Sequence, residues 1–147
     1  MLIKNNFTVE APPEAVWAFL LDIPRVSACV PGAEGVEEIE PDVFRGKLTS
    51  RVGAVRAAFA GQVTVVERVA PERLVASFQA EDRALASSVG GTFTSRLTPV
   101  EGGTQLDYEV DVALRGRLAQ IGFAAVQQTA RSMTARFARC LQEALST

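Results

Sequence analysis

The sequence contains no histidine, only two cysteines, one tryptophan and one tyrosine, and no apolar run of membrane-spanning length. Each shortage excludes something. Without histidine there is no Ser-His-Asp or Cys-His arrangement, the commonest general base is missing, and most zinc sites are out of reach. Cys29 and Cys140 stand too far apart in the chain to form a metal-binding spacing. They read as reduced, small apolar fillers of a cytosolic protein. A helix that crosses a bilayer needs about 20 apolar residues, and the opening Met1-Leu2-Ile3-Lys4-Asn5-Asn6 is no signal peptide. The expectation is therefore a cytoplasmic protein. Gly90-Gly91 and Gly102-Gly103 lack phosphate-loop or dinucleotide spacing and read as a bulge and a turn. No catalytic constellation and no metal site is predicted. Nucleic acid is excluded as a partner, because basic residues are few and aromatic residues do not accompany them.

What is present describes an ordinary globule. Of 147 residues, 48% are hydrophobic and 22% charged, and 1–147 reads as one domain able to bury roughly two thirds of its extended surface. The net charge of −2 conceals an asymmetry. Residues 1–112 hold ten basic and sixteen acidic side chains, whereas residues 113–147 hold Arg115, Arg117, Arg131, Arg136 and Arg139 against Glu143 alone. Those arginines suit the C-terminal half of a helix, or a peripheral contact with anionic lipid or an acidic protein through Arg115, Arg117, Arg131 and Arg139.

The pattern is α+β. Residues 2–9 alternate as a strand, and Pro13 is placed to open a short apolar helix that runs to Leu21. Asp22-Ile23-Pro24 breaks it, and a second helical piece from Pro24 to Cys29 stops at Pro31-Gly32. Six alternating strands follow: Gly35–Glu40, Val43–Val52, Val55–Val69, Arg73–Glu81, Ser87–Thr98 and Thr104–Leu114. One wet and one covered face is implied for the sheet. From Leu118 to Leu145 there is no proline, and Leu118, Ile121, Ala125, Thr129, Met133, Phe137, Cys140 and Ala144 form one stripe at helical spacing.

A long amphipathic helix needs an apolar surface, and the sheet is the available one. Ala57, Gly61, Ala76, Ala80 and Gly91 are small beside Phe59, Phe78 and Phe93. They serve either close helix approach or a ligand cavity. The residues expected to line such a cavity are Trp17, Phe44, Leu48, Phe59, Phe78, Phe93, Tyr108, Leu114, Leu118, Ile121, Ala125, Thr129 and Met133. Arg83 is either a surface charge paired with Glu81 and Asp82 or a polar group at the cavity mouth. Tyr108 and Gln62 are weaker candidates for polar ligand contacts.

The stretch Phe7-Thr8-Val9-Glu10-Ala11-Pro12-Pro13-Glu14-Ala15-Val16-Trp17, with Asp22 and Cys29-Val30-Pro31-Gly32-Ala33-Glu34, resembles the opening of CoxG-like proteins, the family of the CoxG subunit of carbon monoxide dehydrogenase. Phe44-Arg45-Gly46-Lys47, Phe59-Ala60-Gly61, Gly103-Thr104 and Leu114 to Gly122 are similar to the family's later landmarks, so the resemblance covers essentially the whole chain. It implies a helix-grip, START-like (SRPBCC) fold: a seven-stranded curved antiparallel sheet wrapped around a long C-terminal helix, with two short helices after the first strand. It also implies no catalysis and no cofactor of its own, a hydrophobic cavity for a quinone or lipid, and a molybdenum-containing dehydrogenase as partner. Such proteins recruit the enzyme to the cytoplasmic membrane or shuttle quinone to it. The sequence ends just after the predicted helix, where some relatives continue into a membrane-binding tail, so attachment is expected to fall to the folded part. Two other readings compete: a cyclase- or aromatase-like enzyme using the same cavity, and an assembly factor that binds no ligand.

Overall fold

The computed structural model describes residues 1–146. The order of elements is β1 (Leu2–Val9), α1 (Pro13–Leu21), α2 (Ile23–Cys29), β2 (Ala33–Glu40), β3 (Val43–Val52), β4 (Val55–Val69), β5 (Arg73–Asp82), β6 (Ser87–Val100), β7 (Gly103–Gly116), a 3-10 turn (Arg117–Gln120) and α3 (Phe123–Leu145). The strands make one antiparallel sheet in the order β1-β7-β6-β5-β4-β3-β2. Helix α3 comes close both to β1 at one margin and to β3 near the other. One helix can meet both only if the sheet curls around it, which is the helix-grip arrangement expected.

Local chemistry explains the short elements. Pro13 occupies the first turn of α1, where its missing N–H costs nothing, and Glu14 in the same turn complements the helix dipole. The Asp22 carboxylate accepts the Arg25 N–H at 3.4 Å at the start of α2. Gly122, with φ of 96° and ψ of 158°, stands immediately before α3. That backbone conformation is open to glycine and not to a helix. The predicted helix from Leu118 is therefore corrected: α3 begins at Phe123, and Leu118 belongs to the 3-10 turn. No helix among the described residues is long and apolar enough to cross a membrane.

The tight core lies at one end of the sheet. Val9, Val16, Phe19, Leu97, Leu106 and Leu141 are buried there, with Trp17 beside them. Leu141 is the deepest residue of α3 at 0% exposed, although it falls outside the predicted stripe.

The cysteine expectation is overturned. Cys29 and Cys140 are joined in a disulfide, with Cα atoms 5.5 Å apart. Their separation of 111 residues hides the pairing in the sequence. The packing of α2 against α3 creates it by bringing the end of one helix to the C-terminal half of the other.

Candidate functional site

The inner face of the sheet is set by strand alternation and register. Leu48 pairs with Phe59, Phe78 with Gly91, Ala76 with Phe93, Phe93 with Val110 and Val89 with Leu114. Leu48, Phe59, Phe78, Phe93 and Leu114 are half-buried although they face the helix side. Trp17, Phe44, Tyr108 and Leu118 are buried, and Ile121 is half-buried just before α3. The core is thus closed at one end, while apolar side chains remain partly open at the other. Gly91 serves neither of the roles weighed for the small inward residues. A Cβ there would lie 1.9 Å from the Asp111 carbonyl oxygen, so its size answers to the neighbouring strand's backbone.

A cavity of about 460 Å³ opens between α3 and the free end of β3. The β2–β3 pairing ends at Ala33–Leu48, and the Thr49 N–H still meets the Gly32 carbonyl at 3.1 Å, so residues 50–53 form an edge that β2 does not cover. Pro31, Gly32, Thr49, Ser50, Arg51 and Gly53 supply one wall, and Ala125, Gln128, Thr129, Ser132, Met133 and Arg136 supply the other. The Thr129 hydroxyl lies 3.0 Å from the Ala125 carbonyl and 3.3 Å from that of Arg51, linking helix to strand across the opening. Of the residues named from the sequence, Ala125, Thr129 and Met133 stand on this wall. Gln128, Ser132 and Arg136 were missed. They follow the Ala125-Thr129-Met133 row by three positions, a spacing that places them beside it on the same helix.

In the closed core, Tyr108 stacks on Phe93 with ring centroids 5.6 Å apart, and its hydroxyl bonds that of Thr134. Thr134 donates its own proton to the Ala130 carbonyl at 2.7 Å. Tyr108 is therefore the donor of the pair. Ser95 lies directly across from Tyr108 in the β6–β7 register and is also buried.

Arg83 occupies a different place. It borders a second recess of about 380 Å³ with Glu81, Asp82, Ser87, Ser88 and Arg115. It is 92% exposed and sits 3.4 Å from the Glu81 carboxylate. Asp82, beneath it, accepts the Ala58 N–H at 2.8 Å and the Leu85 N–H at 3.1 Å. The Ala58 bond above all holds its carboxyl below the usual value, burial opposes that, and the Leu85 and Ala84 N–H groups add to the lowering. Ser87 accepts the Leu118 N–H at 3.1 Å and so anchors the 3-10 turn. Arg115, Arg117, Arg131 and Arg139 are all exposed. Gln62 is exposed as well, on the strand face opposite Phe59 and Gly61. Among the described residues, no group of three metal-ligating side chains comes together.

The family model for CoxG, a subunit of carbon monoxide dehydrogenase, matches residues 6–146. No curated protein sequence matches the chain. Among solved structures, it is similar to a conserved protein from Geobacillus kaustophilus, with a TM-score of 0.90 at 22% identity over 99% of this chain and 95% of that one. It is also similar to a START superfamily protein from Mycobacterium smegmatis, with a TM-score of 0.75 at 12% identity over 98% and 96% of the two chains. Ara h 8.0201 follows with a TM-score of 0.66 at 10% identity over 99% and 97%. Likenesses at these identities show the fold, which is START-like.

Proposed function

The chain belongs to the CoxG family of carbon monoxide dehydrogenase proteins, and from that premise we propose that it is a non-catalytic carrier of a hydrophobic small molecule, a quinone or a lipid. The observation that carries the reading is the incomplete closure of the helix on the sheet. Leu48, Phe59 and Phe78 face inward and stay half-buried, and a cavity of about 460 Å³ separates α3 from the end of β3. Apolar surface held open in this way is stabilised when a ligand covers it. The volume lies within the range of about 300–1,000 Å³ usual for small-molecule sites.

The molecule would be delivered to, or taken from, a molybdenum-containing dehydrogenase. The exposed Arg115, Arg117, Arg131 and Arg139 are the surface proposed to meet the cytoplasmic face of a membrane. Against an enzyme reading stands the chemistry of the cavity wall: its titratable members among the described residues are Arg51 and Arg136, and a guanidinium keeps its proton.

Native mass spectrometry of the purified protein tests the proposal. A mass increment matching a lipid or quinone, released by organic solvent, is expected. Protein that carries no adduct and takes up neither class when mixed with them would overturn it.

A further inference from the structure

Three loops meet at the end of the sheet where α3 begins. They are the β3–β4 hairpin around Gly53-Ala54, the β5–β6 turn over Ala84-Leu85-Ala86, and the segment from the 3-10 turn to Phe123. Contacts place them side by side. A Cβ on Gly53 would lie 3.6 Å from the Ala125 Cβ, and one on Gly116 would meet the Ala86 carbonyl oxygen at 1.9 Å. The Asp82 carboxylate joins the β5–β6 turn to β4 by accepting the Leu85 and Ala58 N–H groups. None of the three tips carries a charge. Ala54, Ala84, Gly122 and Phe123 are exposed there, Phe123 by 44%, and no charged residue occurs from Leu118 to Ala130. Directly behind the tips stand arginines: Arg51 and Arg56 on the hairpin, Arg83 at the turn, Arg115 and Arg117 at the end of β7. All five are exposed. Among the described residues, only Arg83 of the five meets a carboxylate, that of Glu81 at 3.4 Å. Arg51 even faces Arg56 in the strand register, where like charges repel. The opposite end of the sheet is built the other way, for its turns carry Glu40 and Asp42, Glu72, and Glu101.

We propose that this end docks on a bilayer containing anionic lipid, with the three uncharged tips in the headgroup region and the five arginines as a collar against the phosphates. Apolar groups in front of a basic rim are what a protein lying in a membrane interface presents. An acidic protein would need the arginines alone; the uncharged tips ahead of them suit an apolar layer behind an anionic one. The cavity starts beside the same loops, with Gly53 and Ala125 on its walls, so docking sets that end of it against the lipid. This inference rests on the membrane contact proposed above and redraws it. It keeps Arg115 and Arg117, adds Arg51, Arg56 and Arg83, and leaves out Arg131 and Arg139. At a rise of about 1.5 Å per residue those two stand about 12 and 24 Å along α3 from Phe123, beyond a Debye length of about 8 Å.

Vesicle flotation at physiological salt tests it, with phosphatidylcholine alone and with equimolar phosphatidylcholine and phosphatidylglycerol. The parent protein should float with the anionic vesicles only, and less as salt rises. Each collar arginine should contribute on the order of fivefold in affinity, so Arg51→Gln with Arg56→Gln and Arg115→Gln should lose roughly a hundredfold. Phe123→Ser should weaken binding about tenfold although every arginine remains. Arg131→Gln with Arg139→Gln should float as the parent does. All these side chains are exposed, so the substitutions spare the fold. Phe123→Trp should shift its emission to the blue on the anionic vesicles, against the unchanging signal of the buried Trp17. Flotation that ignores the collar variant or Phe123→Ser overturns the proposal; loss in the Arg131, Arg139 variant instead would return the contact to the helix flank. A parent that floats with neither vesicle overturns the membrane contact altogether and leaves the basic end to an acidic protein. The carrier reading is judged apart from these outcomes, by uptake of the neutral fluorophore N-phenylnaphthylamine without vesicles.

Discussion

Asp82 ends β5 at the point where β4 runs on beyond its partner, since the last β4–β5 pair is Ala60 with Glu81. The carboxylate takes the place of the missing strand by accepting the Ala58 N–H, and it also holds the turn through Leu85. Its pKa is lowered in the folded state, so the unfolded chain binds the proton more tightly. The stabilisation is therefore fully present above the ordinary carboxylate value of about 3.9 and is lost as pH falls through the lowered folded value. Asp82→Asn should be less stable than the parent at neutral pH and should lose less on acidification, as read from denaturant midpoints between neutrality and strong acid. Identical pH profiles for the two proteins would remove this role. The sequence shows Glu81-Asp82 as an acidic run, which reads as solvated. Counting in steps of two from Leu74 nevertheless puts Asp82 on the inner face, so the signal was there and the charge obscured it.

At the scale of elements, alternation and helical spacing carried the assignment of seven strands and three helices, because apolar periodicity answers to burial on one face. The ends of α3 did not follow. Its start is decided by the backbone of Gly122, and its burial is decided at Leu141, where the helix meets the closed core rather than the open cavity. The Cys29–Cys140 bridge ties α2 to that same half of α3. Closing so long a loop restricts the unfolded chain and is worth about 2–4 kcal/mol. Dithiothreitol should lower the denaturant midpoint of the parent by a corresponding amount. A Cys140→Ser variant should sit at the reduced value with or without reductant. A parent whose midpoint ignores reductant would show that the bridge contributes nothing to stability.

For the whole molecule, the two ends of α3 have different surroundings. The C-terminal half is bolted to β1, α1 and α2 by the core and the disulfide, while the N-terminal half bridges to β3 over a gap. Filling the gap should remove binding and spare the fold, because the core lies elsewhere. Ala125→Phe is expected to weaken N-phenylnaphthylamine about tenfold or more, with a stability cost no larger than the usual 1–3 kcal/mol of about one overpacked side chain. Unchanged affinity in that variant would place the ligand outside this cavity.

Strand count, element order, the amphipathic terminal helix and the lack of histidine were all determined by the sequence, because each depends on residue type and short-range spacing. The resemblance to the CoxG family was legible for the same reason, in stretches such as Cys29-Val30-Pro31-Gly32 and Leu118-Ala119-Gln120-Ile121-Gly122. Only the tertiary structure decided which inward side chains stay open, that Cys29 meets Cys140, and that Gly53 comes to lie beside Ala125. These depend on how far the sheet curls and where the helix leaves it, distances that no spacing along the chain encodes.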